Sequence, residues 1–406
     1  MELFRRMFAA AVEAAQPEHC LPLHLPVPPA GRTIVVGAGK ASAEMARVLE
    51  AHYPAPVEGL VVTRHGHGAP TSGIEIVEAG HPVPDASGER AARRILGLVG
   101  GLTADDLVIC LLSGGGSALM PLPAPGLTLA DKQAVTAALL RAGAPIGEIN
   151  CIRRHLSAIK GGRLAQAARP ARLLTLAISD VPGDDPLVIA SGSTVPDPTS
   201  FADARAVIAR YRLDVPEAVR RHLEAGTDPV AAPWGDYVLV ARPADALAAA
   251  ATVAETAGYR AVLLGDAVEG EAREVAGRHA ALAMDYLARG DKVALISGGE
   301  LTVTIAGDGI GGPSHEYVLA LLVACGGDPR VSGIACDTDG IDGAADAAGA
   351  WFDGGTLARA ASAGMAPADA LRRNDAGRFF AVMGQQIVSG PTHTNVNDLR
   401  VILVDP

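Results

Sequence analysis

Aromatic side chains are scarce in this chain: only 3% of its 406 residues are phenylalanine, tryptophan or tyrosine. This scarcity argues against the aromatic platforms on which single-stranded nucleic acids stack. The net charge of −11 also argues against a surface that binds nucleic acid or an anionic membrane, since such surfaces are basic. We therefore expect neither nucleic acid nor membrane as a partner. An anionic substrate stays possible, because a local cationic pocket is sufficient to bind it.

Cysteine is sparse as well, and its five residues are scattered without a CxxC pair or the spacing of a metal site. Their odd number favours a reducing compartment. No apolar run approaches the length of a transmembrane helix, and the first twenty residues resemble an amphipathic helix more than a signal peptide. These features predict a cytoplasmic protein. They do not fix the oligomeric state, and a homodimer is one arrangement that they allow.

The chain is nevertheless rich in apolar residues, at 49%, which is typical of a globular protein. Short apolar strands alternate with helical patterns from Thr33 to Leu264, which favours βαβ units and a parallel sheet. From Lys292 onward strands and turns lie closer together, which indicates a second α/β domain; Ala225–Trp234 is a weaker break. We therefore predict a domain over 1–235, a connecting α/β segment over 236–289 and a C-terminal domain over 290–406.

A glycine-rich turn follows the buried strand predicted at Leu107–Leu112. The backbone N–H groups of such a turn can face an anion when a helix starts directly after it, although a flexible turn is the simpler interpretation. The predicted phosphate-binding residues here are Ser113, Gly114, Gly115, Gly116 and Ser117. A similar pattern, LISGGE, recurs at Leu295–Glu300 and indicates a second such loop.

A second turn, GAGKAS, follows the strand predicted at Thr33–Val36 and opens a helix. It lacks the third glycine of the dinucleotide fingerprint and the spacing of a P-loop. Lys40 stands at the start of the helix, where the helix dipole disfavours a cation unless an anion lies between them. We therefore predict that Gly37, Gly39 and Lys40 contact an anionic ligand; a solvated surface lysine is the alternative.

A basic run begins at Arg153 within a helix predicted over Ile146–Ala168. Arg153, Ser157 and Lys160 are spaced i, i+4 and i+7, which would place them on one helix face. That face would suit a carboxylate or phosphate, whereas an isolated basic run is usually a solvated surface.

Three acids follow the strand predicted at Leu173–Ser179. Because the carboxyl ends of parallel strands face the ligand crevice, Asp180 is a candidate Mg²⁺ ligand or general base, with Asp185 as a second metal ligand. Helix capping is an equally good interpretation for Asp184 and Asp185. In the C-terminal domain, Glu300 and Asp339 also follow predicted strands, and we expect them near Mg²⁺ or the nucleotide.

The ordered motifs of this chain resemble those of the glycerate 2-kinase family, also called the MOFRL family. The resemblance extends over nearly the whole length and depends on GAGKAS, GHPVPD, SGGGSAL, RRHLSAIKGGRLA, SDVPGDDP, SGSTVPDPTSF, SGGE, DTDGIDG and GPTHTNVNDL. It implies a kinase that uses ATP and Mg²⁺ to phosphorylate the 2-hydroxyl of D-glycerate. It also implies an N-terminal Rossmann-like domain, a smaller C-terminal α/β domain, an active site in the cleft between them and a functional role for Lys40.

The chain departs from that family at one position. Some members have GGRNQE with a functional arginine, where this chain has Pro313 in the segment GGPSHE. Arg153, Lys160 or His315 are the candidates to replace that arginine.

Two other functions stay open from the sequence. The first is reduction of hydroxypyruvate with a nicotinamide cofactor, a label that proteins of this family also carry; the missing third glycine argues against it. The second is non-catalytic binding of a nucleotide or sugar acid.

Overall fold

The computed structural model describes residues 1–227 and 235–406. Its contacts divide the chain into two compact units. The first unit comprises Cys20–Ser179 and Asp184–Val240, and the second comprises Met1–His19, Asp180–Gly183 and Ala241–Pro406. Most of the sequence break at 225–234 lies outside the described residues. The boundaries drawn from the sequence after residues 235 and 289 stay a prediction.

The first unit is built on a six-stranded sheet with the order β3-β2-β1-β4-β5-β6. Its strands are β1 (Thr33–Ala38), β2 (Glu58–Arg64), β3 (Ile74–Ala79), β4 (Leu107–Leu112), β5 (Arg172–Ile178) and β6 (Asp236–Ala241). The pairs from β3 to β5 are all parallel, and β1 and β4 are buried along their whole length. This order is that of the Rossmann fold, so the predicted fold class is confirmed.

Helices connect these strands. They are α3 (Ser42–His52), α4 (Ala86–Val99), α5 (Gly116–Leu119), α6 (Leu129–Arg141), α7 (Ile146–His155), α8 (Arg163–Ala167), α9 (Phe201–Arg210) and α10 (Glu217–Ala225), with 3₁₀ turns at Pro22–His24 and Ile189–Ser191. Thr128 and Asp131 form a capping box that fixes the start of α6. The N-cap of α4 is Asp85, which accepts the Gly88 N–H at 2.9 Å.

The long helix expected over Ile146–Ala168 is wrong. Helix α7 ends at His155, and α8 begins only at Arg163. The Ser157 hydroxyl accepts the N–H of Lys160 at 3.3 Å, and Gly161 and Gly162 adopt positive φ angles of 58° and 76°. Side-chain bonding and glycine backbones favour a turn there over a continuous helix, so Arg153, Ser157 and Lys160 do not share a helix face.

The second unit contains a mixed six-stranded sheet with the order β13-β12-β11-β14-β9-β7. Its strands are β7 (Arg260–Gly265), β9 (Val293–Ser297), β11 (Val331–Asp337), β12 (Gly349–Phe352), β13 (Gln386–Ile387) and β14 (Asp398–Val404); the short strands β8 (Gly270–Glu271) and β10 (Leu301–Thr302) form a separate pair. In the six-stranded sheet of the described chain, β7 and β9 pair in parallel and the other strand pairs are antiparallel; β8 and β10 also pair in parallel. The last strand of the chain, β14, lies in this sheet between β11 and β9.

The helices of the second unit enclose an Ala-, Val- and Leu-rich core. They are α1 (Glu2–Ala14), α11 (Pro243–Thr256), α12 (Ala272–Ala288), α13 (Pro313–Ala324), α14 (Thr356–Ser362), α15 (Pro367–Arg372) and α16 (Ala376–Met383); α2 (Pro17–Cys20) and the 3₁₀ turn Pro182–Asp184 lie where the chain passes from one unit to the other. Helix α1 packs against α11, which explains why the N-terminal residues group with the C-terminal half. No helix of the described chain has the length and hydropathy needed to cross a bilayer.

Candidate active site

Two turns meet at the carboxyl edge of the first sheet, because β1 and β4 are adjacent parallel strands. The Lys40 N–H donates to the Gly114 carbonyl at 2.8 Å, and the Ala41 N–H donates to the Ser113 hydroxyl at 3.0 Å. The Ser42 hydroxyl lies 3.2 Å from that of Ser113 and donates to the Leu111 carbonyl. Ser113 is fully buried, so this residue joins the two turns.

The glycines of these turns allow that close approach. A Cβ on Gly39 would lie 2.0 Å from the Ser113 hydroxyl, while Gly37 lies within β1 opposite Leu111. Gly115 has φ of +81°, and a Cβ there would lie 2.8 Å from His81 Nε2 and 3.5 Å from Lys40 Cγ. Lys40, His81 and Gly115 are therefore neighbours at this edge.

The SGGGS turn retains free backbone donors. Gly116 bonds back to Ser113, and α5 is only one turn long. Within the part of the chain that the structure describes, the N–H groups of Gly114 and Gly115 donate no hydrogen bond. They are available to an anionic ligand, which is the arrangement expected of a phosphate-binding turn.

The basic run supplies cations for structural contacts and one buried lysine for the glycine-rich turn. Arg154 forms a buried ion pair with Asp197 at 2.9 Å, and Arg163 donates to the carbonyls of Arg154 and Lys160. Lys160 instead reaches the glycine-rich turn, where Nζ donates to the carbonyl of Ser117 at 2.5 Å and to its hydroxyl at 2.7 Å.

A pocket of about 620 Å³ in the first unit collects these groups. It is lined by His81, Pro82, Val83, Pro84, Gly115, Ser117, Ala118, Pro121, Leu129, Lys132, Gln133, Thr136, Ala137, Leu140, Arg153 and Lys160. Three of these side chains are cations, and none of those surrounding the pocket in the described structure is an acid. We call the site the cationic pocket.

The three cations destabilise one another in the absence of an anion. Burial, with the charges of Arg153 and Arg163, lowers the pKa of Lys132 to about 7. Burial, with the charges of Lys132 and Arg153, holds the pKa of Lys160 well below its ordinary value, and burial lowers that of Arg153. Clustered cations with depressed pKa values in a pocket are typical of a site that binds an anion.

Lys132 is the functional candidate that the sequence interpretation missed. It projects from α6 on the same face as Leu129, Thr136 and Leu140, and its Nζ lies 3.4 Å from the Leu122 carbonyl. The available signal was a lysine at helical spacing within an otherwise uncharged helix face. That signal becomes informative only when α6 is known to lie beside Arg153 and Lys160.

Two residues with strained backbone conformations lie beside Ser117 of the pocket. Ala190 and Ser191 both adopt left-handed conformations, with φ of 49° and 56°. The Ser191 hydroxyl lies 2.8 Å from that of Ser117, which Lys160 also contacts. Non-glycine residues in this region are costly and concentrate at functional sites, which agrees with a binding role for Ser117.

The predicted acidic residues lie in both units. Asp180 belongs to the second unit, where its Oδ2 accepts the Asn395 amide at 2.9 Å. Asp185 belongs to the first unit, where its carboxylate accepts the Leu187 N–H at 2.9 Å. Within the described residues, no three acid, histidine or cysteine side chains form a metal cluster. A Mg²⁺ ion held by one or two carboxylates and substrate phosphates needs no such cluster.

The SGGE turn differs from the SGGGS turn in its contacts. The buried Arg400 guanidinium donates to the carbonyls of Gly298 and Gly299 and forms an ion pair with Asp398 at 2.9 Å. Burial raises the pKa of the Asp398 carboxyl, and the nearby charges of Glu300 and Asp339 act in the same direction. This turn therefore presents carbonyls to a cation of its own unit, with Glu300 exposed and Asp339 buried beside it.

Pro313 begins helix α13, and the N-terminus of that helix already holds a carboxylate. Asp342 accepts the N–H groups of Ser314 at 3.0 Å and His315 at 2.8 Å, and lies 2.5 Å from His315 Nδ1. His315 is fully buried, and its other nitrogen lies 3.5 Å from Gln386. The side chain of His315 is therefore a packed partner of Asp342, and the replacement of the family arginine by Arg153, Lys160 or His315 stays a prediction.

The comparisons with known proteins agree with this architecture. Residues 3–224 match the family described as "Domain of unknown function (DUF4147)", and residues 293–398 match the MOFRL family. A "Putative hydroxypyruvate reductase" of Agrobacterium vitis is 50% identical over 99% of this chain and 94% of its own length. The "D-glycerate 2-kinase" of Thermotoga maritima is 38% identical over 97% of this chain and 96% of its own.

A solved structure extends the likeness to the fold. The crystal structure of glycerate kinase from Thermotoga maritima has a TM-score of 0.89 and 37% sequence identity, and covers 99% of both chains. The fold and the cationic pocket together define a two-unit α/β protein whose first unit has a pocket lined by three cations. The chain belongs to the glycerate 2-kinase family, in which a DUF4147 region precedes a MOFRL domain.

Proposed function

We propose that this protein transfers the γ-phosphoryl group of ATP to the 2-hydroxyl of D-glycerate, giving 2-phospho-D-glycerate and ADP. The name of the Thermotoga maritima relative supports the reaction. The observation in this chain that carries the proposal is the cationic pocket beside the free N–H groups of Gly114 and Gly115. Both substrates are anions, and phosphoryl transfer depends on positioning and charge neutralisation more than on covalent chemistry.

Different residues of the first unit bind the different anionic groups of the two substrates. The Gly114 and Gly115 N–H groups and Lys160 hold phosphate oxygens of the nucleotide. Lys40, adjacent to Gly115, stabilises the negative charge on the transferred group. Arg153 orients the carboxylate of the acceptor, because its planar guanidinium suits a bidentate contact.

Asp180 is the proposed general base, which accepts the proton of the 2-hydroxyl. The bond from the Asn395 amide orients its carboxylate. Asp180 and Asp185 are oxygen ligands of the kind that Mg²⁺ prefers, and Glu300 and Asp339 are proposed on the nucleotide side. Mg²⁺, when bound, neutralises charge on the phosphate oxygens.

The reaction is tested by steady-state kinetics with ATP, Mg²⁺ and D-glycerate, with the product identified by phosphorus NMR. Lys40→Ala should lower kcat by about 100-fold or more, as loss of one charge-stabilising group typically does. Lys292→Ala is the matched control, because its ammonium pairs with Asp405 at the surface, and it should keep wild-type turnover. Wild-type turnover in Lys40→Ala would remove Lys40 from the mechanism, and absence of 2-phosphoglycerate would refute the reaction.

The second candidate function is reduction of hydroxypyruvate by NADH or NADPH, which the name of the Agrobacterium vitis relative favours. Ser42 occupies the position of the third fingerprint glycine and is bonded to the Leu111 carbonyl. Strand β2 ends at Thr63 and Arg64, without the carboxylate that binds the ribose of NAD. Oxidation of NADH or NADPH by hydroxypyruvate at enzymatic rates, without kinase turnover, would establish this function instead.

A further inference from the structure

The cationic pocket is larger and more apolar than a three-carbon hydroxy acid requires. Its volume of about 620 Å³ is within the range of sites that take drug-sized ligands. D-glycerate carries a polar group on each of its three carbons, so it has no surface to cover an apolar wall. That wall is formed by Val83, Pro121, Leu129, Ala137 and Leu140.

The polarity of the pocket changes from the inside to the mouth. At the inner end, Lys160 and Lys132 are only 2% and 8% exposed. At the mouth, Leu140 and Val83 are 60% and 68% exposed, although both are large apolar residues. An occupant that suits this gradient has an anionic end for the lysines and a flat, apolar body for the mouth.

The two walls of the mouth are held together by a hydrogen bond. The Gln133 amide of α6 donates to the Pro84 carbonyl at 3.0 Å, which fixes the distance between α6 and the segment from His81 to Pro84. The Thr136 hydroxyl lines the same slot and can bond to the polar edge of a ring. A preformed apolar slot with a few polar groups is typical of a site for an aromatic base.

We propose that the nucleotide occupies this pocket, with its phosphates on Lys132 and Lys160 and its base between α6 and the Val83–Pro84 segment. Lys132 is then a nucleotide-binding residue, and Arg153 stays with the acceptor. Nucleoside polyphosphates and nicotinamide dinucleotides both have an anionic end and an aromatic base, so the pocket suits either class. The choice of a nucleoside polyphosphate rests on the proposed kinase function.

The test is calorimetric titration of the full chain with ADP in the absence of acceptor. Lys132→Met and Leu140→Asp should each weaken ADP binding by at least about tenfold, since one removes a phosphate contact and the other places a charge in the base slot. Arg141→Met and Ile146→Asp are matched controls, because both residues are exposed and neither lines the pocket; they should bind ADP as the wild type does.

Thermal melts of each variant identify loss of folding. A photoreactive azido-ADP supplies a second measurement on the unmodified protein and should label peptides of α6 or the Val83–Pro84 segment. Equal ADP affinity in wild type, Lys132→Met and Leu140→Asp, or labelling confined to other segments, would overturn the pocket assignment while kinase turnover persists. Binding of NADPH but not ADP would also overturn the assignment of the nucleotide to this pocket. The proposed function itself would be refuted by the absence of kinase turnover in the wild type.

Discussion

Replacing Lys132 by methionine is expected to stabilise the ligand-free protein while it weakens anion binding. Lys132 is buried beside Arg153 and Lys160, so its ammonium is unfavourable until an anion arrives. Methionine has a similar length and no charge. Loss of the Lys132 Nζ leaves no unsatisfied acceptor, because the Leu122 carbonyl also accepts from the Ser157 hydroxyl at 3.0 Å and from the Ala158 N–H at 3.2 Å.

The size of the effect follows from the pKa of Lys132, which falls from 10.5 to about 7 on folding. Between these values the unfolded chain binds the proton and the native protein releases it, so the wild-type free energy of unfolding rises with pH in this window. At about 1.36 kcal/mol per pKa unit, Lys132 lowers the free energy of unfolding of the wild type by about 5 kcal/mol below pH 7, by about 4 kcal/mol near pH 7.5 and by almost nothing at pH 10.5. The advantage of Lys132→Met should decrease accordingly.

Urea denaturation of wild type and Lys132→Met at about pH 7.5 and pH 10 measures this difference. Arg141→Met, in the same helix but exposed, should change the free energy of unfolding by no more than about 0.5 kcal/mol. A Lys132→Met protein that is less stable than the wild type near pH 7.5, or whose advantage is independent of pH, would refute the description of Lys132 as a destabilised buried cation.

Three further predictions concern the same unit. Gly115→Ala should lower both stability and turnover, because the added Cβ would clash with His81 and because Gly115 has a positive φ. Gly97→Ala in α4 is the control: its Cβ would have open space, and thermal melts should show no change or a stabilisation of up to about 1 kcal/mol. Asp85→Ala should cost about 1 kcal/mol of stability through loss of the α4 cap, and Ser87→Ala should not; equal effects would contradict the cap assignment. ADP binding above pH 7 should take up protons, because a bound phosphate raises the pKa of Lys132; calorimetry in buffers of different ionisation enthalpy should show a smaller uptake in Lys132→Met.

The sequence was most informative where structure is locally encoded. The buried strand Leu107–Leu112 and the following SGGGS turn are contiguous, so apolar pattern and glycine content sufficed to predict both. The same reasoning failed at Ile146–Ala168. The spacing of apolar residues there is helical, but the Ser157 hydroxyl and two left-handed glycines favour a turn.

The amino-acid sequence by itself determined the family, the alternation of strands and helices, and the two turns at Lys40 and Ser113, because each depends on residues close together in the chain. The tertiary structure alone decided which cations face one pocket. Lys132 and Lys160 are separated by 28 positions, and Arg154 and Arg163 of the same basic run are used in structural contacts. Packing of α6 against α7 and the bonds from Lys160 to Ser117 bring the lysines to one pocket, and the resulting repulsion between buried charges is a property that no single segment carries.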